Sequence, residues 1–288
     1  MTLSRSLSSV ITVSICLAMN FLAWGDGTTH QNAPQESCID CAPEGSDQHF
    51  EIATIDWCPY ICLGNDQKPG VLTEYVQKIF KDTGYSLSFT HMPWARAIHE
   101  THAGNFLALL APAKEEAPGL MFPDQSLGYQ TMCMYTRADD LWYYDGIRSL
   151  EGRRIVYAIG AYPASLEGAQ DSAAFYPTSY NETFVERGLK MVLNKRTDTL
   201  LFTFYTTQDY INREGLKDEV KLAGCVQQQA LYLAFTPLQE EKEKVQRLIE
   251  FFNQKVKELE KKNTFETLLK RYGLTPLADT SPSIQPAS

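Results

Sequence analysis

Apolar positions along this chain alternate between the strand period of two and the helix period near 3.6. Phe50, Ile52 and Ile55 form a short apolar strand, after which Asp56 to Gly70 is a loop rich in Gly, Pro, Asn and Asp. Val71, Leu72, Tyr75, Val76, Ile79 and Phe80 then recur at three and four. That spacing predicts a helix with one buried stripe, and Gly84 can take the left-handed stop. A second strand is expected at Tyr85 to Phe89, a helix over Trp94 to His102, and a strand over Phe106 to Leu110, whose unbroken apolar run suits burial on both faces.

The pattern then restarts. Met132 to Thr136 and Arg154 to Ile159 read as strands, Phe184 to Leu193 as a helix, and Thr199 to Phe204 as a third strand. Leu231 to Phe235 looks like a strand returning toward the first unit, and Glu240 to Tyr272 forms a pair of amphipathic helical segments ending at Gly273. Strands alternating with helices imply mainly parallel sheets, so the fold class is α/β with two units in tandem.

The two ends of the chain differ from this body. Residues 1–25 carry one cation, Arg5, then a largely apolar stretch from Val10 to Trp24 and an exit of Gly25, Asp26 and Gly27, the pattern of a secretory signal peptide. Ile15 precedes Cys16 where a lipid-attachment motif wants a small residue, which argues against lipidation. Residues 26–48 have hardly any aliphatic side chain and read as a disordered linker, and residues 276–288 as a polar tail. About 260 residues remain after the leader, enough for one large or two smaller domains with cores of their own.

Net charge of −9 argues against nucleic acid or an anionic membrane as the main partner. Of seven cysteines, Cys38, Cys41, Cys58, Cys62, Cys133 and Cys225 lie beyond the leader. An even number in an exported chain favours disulfides, with Cys58 to Cys62 the most plausible local bridge because Pro59 enforces a turn between them. The spacing Cys38-x2-Cys41 followed by Cys58-x3-Cys62 also fits a four-thiolate zinc site, an alternative that an oxidising compartment disfavours. His99-Glu100-Thr101-His102 lacks the four-residue histidine spacing of a zinc protease. No Gly-x-Ser-x-Gly elbow and no phosphate-cradling glycine loop occurs, so no cofactor is expected.

Asp56-Trp57-Cys58-Pro59-Tyr60 after the first strand, and Pro93-Trp94-Ala95-Arg96 opening a helix, resemble the bacterial extracellular solute-binding proteins of family 3 over roughly residues 50–274. The resemblance implies a two-lobed, type II periplasmic binding protein-like fold, each lobe a mainly parallel sheet flanked by helices. Lobe 1 would take residues 49–127 and 237–275, and lobe 2 residues 128–236, with hinge crossings near Ser126 to Tyr129 and Thr236 to Leu238. It also implies that Cys133 pairs with Cys225, since both lie beside strands the family packs in one lobe. The implied function is a periplasmic receptor that captures a small polar solute and delivers it to the membrane permease of an ABC-type importer, working as a monomer.

Within that resemblance, ligand-binding candidates come from both lobes. Asp56, Trp57 and Tyr60 offer a carboxylate and aromatic faces beyond the first strand. Trp94 and Arg96 sit on a helix that Pro93 pre-organises, and Arg96 reads either as the anchor for a ligand anion or as a member of a surface ion pair. The stretch Ala111-Pro112-Ala113-Lys114-Glu115-Glu116-Ala117 has no arginine where amino-acid-binding members clamp a carboxylate, leaving Pro112 and Lys114 as contacts. Gly160, Ala161 and Tyr162 match a ligand-contacting turn in lobe 2, and Asn181 opens the following helix either as a ligand-facing amide site or as a simple cap. Thr203 stands where the family's ammonium-binding aspartate is expected, and Thr203 and Tyr205 are expected to end the third strand facing the cleft. Loss of both amino-acid anchors points to a ligand other than a standard amino acid. Two alternatives from other classes are an enzyme on the same scaffold, dehydratase-like, with Asp56 or Glu182 as acid, and a receptor for a separate signalling protein.

Overall fold

The computed structural model describes residues 48–81 and 83–274. Its elements run β1 (Gln48–Thr54), α1 (Val71–Ile79), β2 (Tyr85–His91), α2 (Trp94–His102), β3 (Ala108–Leu110), β4 (Gly128–Arg137), β5 (Arg154–Ala158), β6 (Ala174–Thr178), α3 (Phe184–Leu193), β7 (Thr199–Thr203), α4 (Phe204–Arg213), β8 (Val220–Leu231), β9 (Leu233–Phe235), α5 (Lys242–Glu260) and α6 (Thr264–Arg271). The expected signal peptide, Cys38, Cys41 and the polar tail lie outside the described residues. Gln48 already belongs to β1, so the expected linker yields to a strand at its last position.

Two sheets result. The first has the order β2-β1-β3-β9, with β1, β2 and β3 parallel and β9 antiparallel to β3. The second has the order β6-β5-β7-β4-β8, with β5, β6 and β7 parallel and β4 antiparallel to β7 and β8. The fold is therefore mixed α/β in two lobes; the first sheet is mainly parallel as expected, whereas the second departs from that expectation along β4 and β8, the antiparallel strands that bring the chain into the lobe and out of it. The chain enters the second sheet at Gly128 and leaves it at Leu231; only Tyr232 separates β8 from β9, so the strand expected over Leu231 to Phe235 is shared between sheets.

Lobe 1 is built from both halves of the sequence. One face of its sheet packs Phe50 and Ile52 against the stripe Val71, Leu72, Tyr75, Val76 and Ile79 of α1, and against Val245, Leu248, Phe252 and Val256 of α5. Its other face is lined by Ala53, Leu109 and Ala234, small enough at two positions to let Ala97 of α2 close on the sheet. Buried Glu74 of α1 accepts hydrogen bonds from Arg271 Nη1 (2.6 Å) and Tyr272 Oη (2.6 Å), and Gly70 N–H donates to the same tyrosine oxygen at 2.9 Å. Asn263, at φ 50°, breaks the C-terminal helical segment into α5 and α6, a left-handed position that asparagine tolerates.

Lobe 2 has two cores, one on each face of its sheet. Phe184, Val185, Leu189 and Ile211 of α3 and α4 cover Val156, Leu200 and Phe202, while Met132, Met134, Ile155, Leu201 and Val226 pack beneath Trp142 and Tyr162. Cys133 and Cys225 are register partners on β4 and β8 and form a disulfide. A second disulfide joins Cys58 to Cys62.

Candidate functional site

The parallel strands β1, β2 and β3 of one lobe, and β5, β6 and β7 of the other, end in the loops that hold most of the expected contacts. Ligand crevices in open parallel sheets form beyond such strand ends. After β1 the chain makes a tight loop in which Trp57 and Ile61 exchange backbone hydrogen bonds of 2.8 and 2.9 Å, the Cys58–Cys62 disulfide spans the turn, and Asp56 Oδ1 accepts Leu63 N–H at 2.9 Å. Gly70 supports the loop from below. At φ 109° a side chain there is strained, and a Cβ would stand 2.4 Å from the Tyr60 carbonyl oxygen.

This loop presents Trp57 and Tyr60 stacked face to face, ring centroids 4.2 Å apart and planes at 27°. Both are buried, and both touch lobe 2 or its entry strand. Trp57 Nε1–H donates to Thr203 Oγ1 at 3.4 Å. Tyr60 Oη–H donates to the Tyr129 carbonyl at 3.2 Å, and its ring meets Tyr205 edge-on at 5.8 Å. Burial pushes the Tyr60 phenol well above its ordinary range, with Tyr205 and Tyr135 adding to the shift, so it acts as a neutral donor.

Tyr180, just past β6, completes the seam. Its hydroxyl donates to the Asp56 carbonyl at 3.0 Å, and its ring stacks on Phe202 with centroids 5.6 Å apart. Burial, then the charges of Asp56 and Glu182, raise its phenol above the usual range. Beside these contacts is a cavity of about 80 Å³, lined by Asp56, Tyr180, Asn181, Thr206, Asp209 and Arg213 among others. Ligand pockets usually span ~300–1,000 Å³, so this space takes a small group, not a whole solute. Asp209 is raised by burial, even though Arg213 Nη1 lies 2.9 Å from its carboxylate and Lys68 also favours the charged form.

The structure thus brings Asp56, Trp57, Tyr60, Asn181, Thr203 and Tyr205 to one seam. Tyr205 is in the first turn of α4, not in the third strand, because the chain turns helical at Phe204 with Thr203 as its N-cap. Asn181 is exposed; its Oδ1 accepts from Thr183 N–H (3.2 Å), Thr183 Oγ1 (3.0 Å) and Arg187 Nη2 (3.1 Å), an Asx turn that leads into α3.

The other candidates are engaged elsewhere. Trp94 packs beside Ala97 and Leu109 on the outer face of the first sheet. Arg96 is 68 % exposed and 3.6 Å from Glu100, one helical turn on, which is the ion-pair arrangement weighed above. Pro112 is buried, with its carbonyl accepting Tyr232 N–H at 3.1 Å, and the Lys114 ammonium stands 4.9 Å from the centre of the Tyr232 ring. Gly160 is exposed at φ 83°, and Tyr162 turns inward, its hydroxyl donating to the Leu166 carbonyl at 2.7 Å and its ring meeting Phe175.

Sequence reasoning missed Tyr180, and also the pair Thr54 and His91. These two are cross-strand partners at the ends of β1 and β2, and Thr54 Oγ1 and His91 Nε2 are buried without a hydrogen-bond partner among the described residues. Burial lowers the His91 imidazole, opposed by the nearby Asp56 charge. Their signal was faint: a polar residue closing an apolar strand.

No protein-family model and no curated protein matches the chain. Solved structures do. The probable amino-acid ABC transporter extracellular-binding protein YtmK from Bacillus subtilis aligns at 15 % identity with a TM-score of 0.64, covering 79 % of this chain and 98 % of that one. The P235GK mutant of ArgBP from T. maritima aligns at 14 % identity and TM-score 0.60, over 78 % and 95 %. The ancestral amino acid-binding protein AncCDT-1, a precursor of cyclohexadienyl dehydratase, aligns at 15 % identity and TM-score 0.58, over 78 % and 94 %. The chain has their two-lobed, periplasmic binding protein-like fold. Among the described residues no helix is long and apolar enough to cross a membrane.

Proposed function

We propose that this chain is an exported solute-binding protein that closes two lobes on a small polar molecule and hands it to the membrane permease of an ABC-type importer. One observation carries the reading: groups from the strand ends of both lobes converge on one seam, the Trp57 indole and the Asp56 backbone carbonyl of lobe 1 meeting the Thr203 and Tyr180 hydroxyls of lobe 2. A receptor needs such two-sided convergence, because only contacts made by both lobes favour the closed state over the open one. The fold shared with YtmK and ArgBP supports the class. Trp57, Tyr60, Thr203 and Tyr205 supply aromatic faces and neutral hydrogen-bonding groups, a lining that favours a solute other than a standard amino acid. In this reading the protein is a monomer of the periplasm, and it needs no cofactor.

A thermal-shift panel of amino acids, organic acids, polyamines and sugars on the ligand-stripped protein tests this. A ligand at a hundred times its dissociation constant adds about 2.7 kcal/mol. A hit outside the standard amino acids is expected; a hit confined to them removes the altered-ligand reading, and a blank panel favours the enzyme and signalling-partner readings over solute capture.

A further inference from the structure

We infer that Trp57, Thr203 and Tyr180 form an inter-lobe latch, which holds the strand ends of the two lobes together through the protein's own side chains. Beside the bond from Tyr60 to Tyr129 on the entry strand, two hydrogen bonds cross the seam in opposite senses. Trp57 Nε1–H of lobe 1 donates to Thr203 Oγ1 of lobe 2, and Tyr180 Oη–H of lobe 2 donates to the Asp56 carbonyl of lobe 1. Asp56 and Trp57 are neighbours in the chain, so a single short loop is gripped from both directions.

Both donors ride on rigid supports. Trp57 lies on Tyr60 within the loop that the Cys58–Cys62 disulfide closes, and Tyr180 packs against the Phe184–Phe202 pair of the lobe 2 core. Little side-chain freedom is lost when such rings make a hydrogen bond, since packing already fixes them. The seam is also dry: Trp57 is 9 % exposed and Thr203 3 %. Indole nitrogen is a donor only, so parting the lobes obliges it to find water or go unpaired.

The latch sets how far the lobes part before any solute arrives. An intramolecular hydrogen bond contributes roughly 1 kcal/mol net, which is about a five-fold change in an equilibrium. A solute entering between the lobes must displace the Trp57–Thr203 contact or settle beside it. Affinity is then scaled by the fraction of molecules whose seam is open to entry.

The test uses the mature protein with no solute added, so its outcome is independent of the ligand panel. Hydrogen–deuterium exchange is followed at peptides covering residues 54–63 and 178–185, with α5 as internal reference. Tyr180→Phe and Thr203→Val should each speed exchange at the seam about five-fold, and together about 25-fold, while α5 is unchanged. Tyr176→Phe, on an exposed ring of the same lobe, should have no effect. Trp57→Phe removes the indole N–H together with part of the ring, so beyond its packing loss the share carried by the hydrogen bond should fail to add to the effect of Thr203→Val, both acting through one bond. Circular dichroism establishes that each variant is folded. Unchanged seam exchange in folded variants, acceleration spread evenly into α5, or full additivity of Trp57→Phe with Thr203→Val would each overturn the latch.

Discussion

His91 ends β2 half-buried, and its imidazole is held below the ordinary value by burial, with Asp56 pulling the other way. The sign of its contribution follows from linkage. Below the ordinary imidazole range the unfolded chain takes up a proton that the folded chain resists, so protonation favours unfolding. Stability should fall as pH drops through about 6.5 and level off once the folded imidazole also protonates. His91→Gln should flatten that part of a denaturant midpoint-versus-pH curve, and an unchanged slope would remove His91 as its source. A second residue-scale prediction concerns Tyr272, whose hydroxyl serves both Glu74 and the Gly70 N–H. Tyr272→Phe leaves two buried groups short of a partner and should cost about 1–3 kcal/mol in a denaturant titration. At this scale the sequence was partly legible. Trp57 and Tyr60 stood out because aromatic residues directly follow an apolar strand, and Thr203 because it stands where a charged residue was expected. Tyr180 did not, because its role depends on stacking against Phe202, a neighbour visible only once the sheet is assembled.

Elements were legible where one face is strongly apolar. The stripes of α1 and α3 repeat at three and four, and α1, α2 and α3 form over the expected residues. α4 was hidden because only Phe204, Thr207 and Ile211 are buried in it, and its start continues the apolar run of β7 without a break. β6 is an edge strand with most side chains exposed and Pro177 within it, and β8 carries Gly224 and three consecutive glutamines, Gln227 to Gln229. Neither shows clean alternation. The two disulfides act on these elements over very different lengths, with sequence separations of 4 and 92. Loop-closure entropy assigns roughly 2 kcal/mol to the short bridge and roughly 4.6 kcal/mol to the long one. The pair Cys133→Ala with Cys225→Ala should therefore lower the melting temperature far more than Cys58→Ala with Cys62→Ala. Equal losses in differential scanning calorimetry would show that the short bridge does more than close its own loop.

The molecule as a whole is asymmetric in how its lobes draw on the chain. Lobe 2's sheet uses one unbroken stretch, Gly128 to Leu231, has a core on each face, and is stapled by Cys133–Cys225. Lobe 1 needs both ends: α1 is buried against Val245, Leu248, Phe252 and Val256 of α5, and Glu74 depends on Arg271 and Tyr272. Stability of the first lobe is therefore held until the last helix is in place, whereas the second can complete itself as soon as β8 is present. A fragment of residues 126–232, oxidised, is expected to unfold cooperatively on heating with far-ultraviolet dichroism of a mixed α/β protein. A chain ending at residue 236 should keep that transition but lose lobe 1, because Phe50, Ile52 and the stripe from Val71 to Ile79 would lose the cover of Val245, Leu248, Phe252 and Val256, and each of those buried side chains contributes about 1.5–3 kcal/mol. One transition in the truncated chain at the melting temperature of the isolated fragment is the predicted result. No transition would mean that the lobes depend on each other for folding, and that the seam at Trp57, Thr203 and Tyr180 is part of a shared core instead of a contact between two finished bodies; two transitions would mean that lobe 1 folds without its last helices.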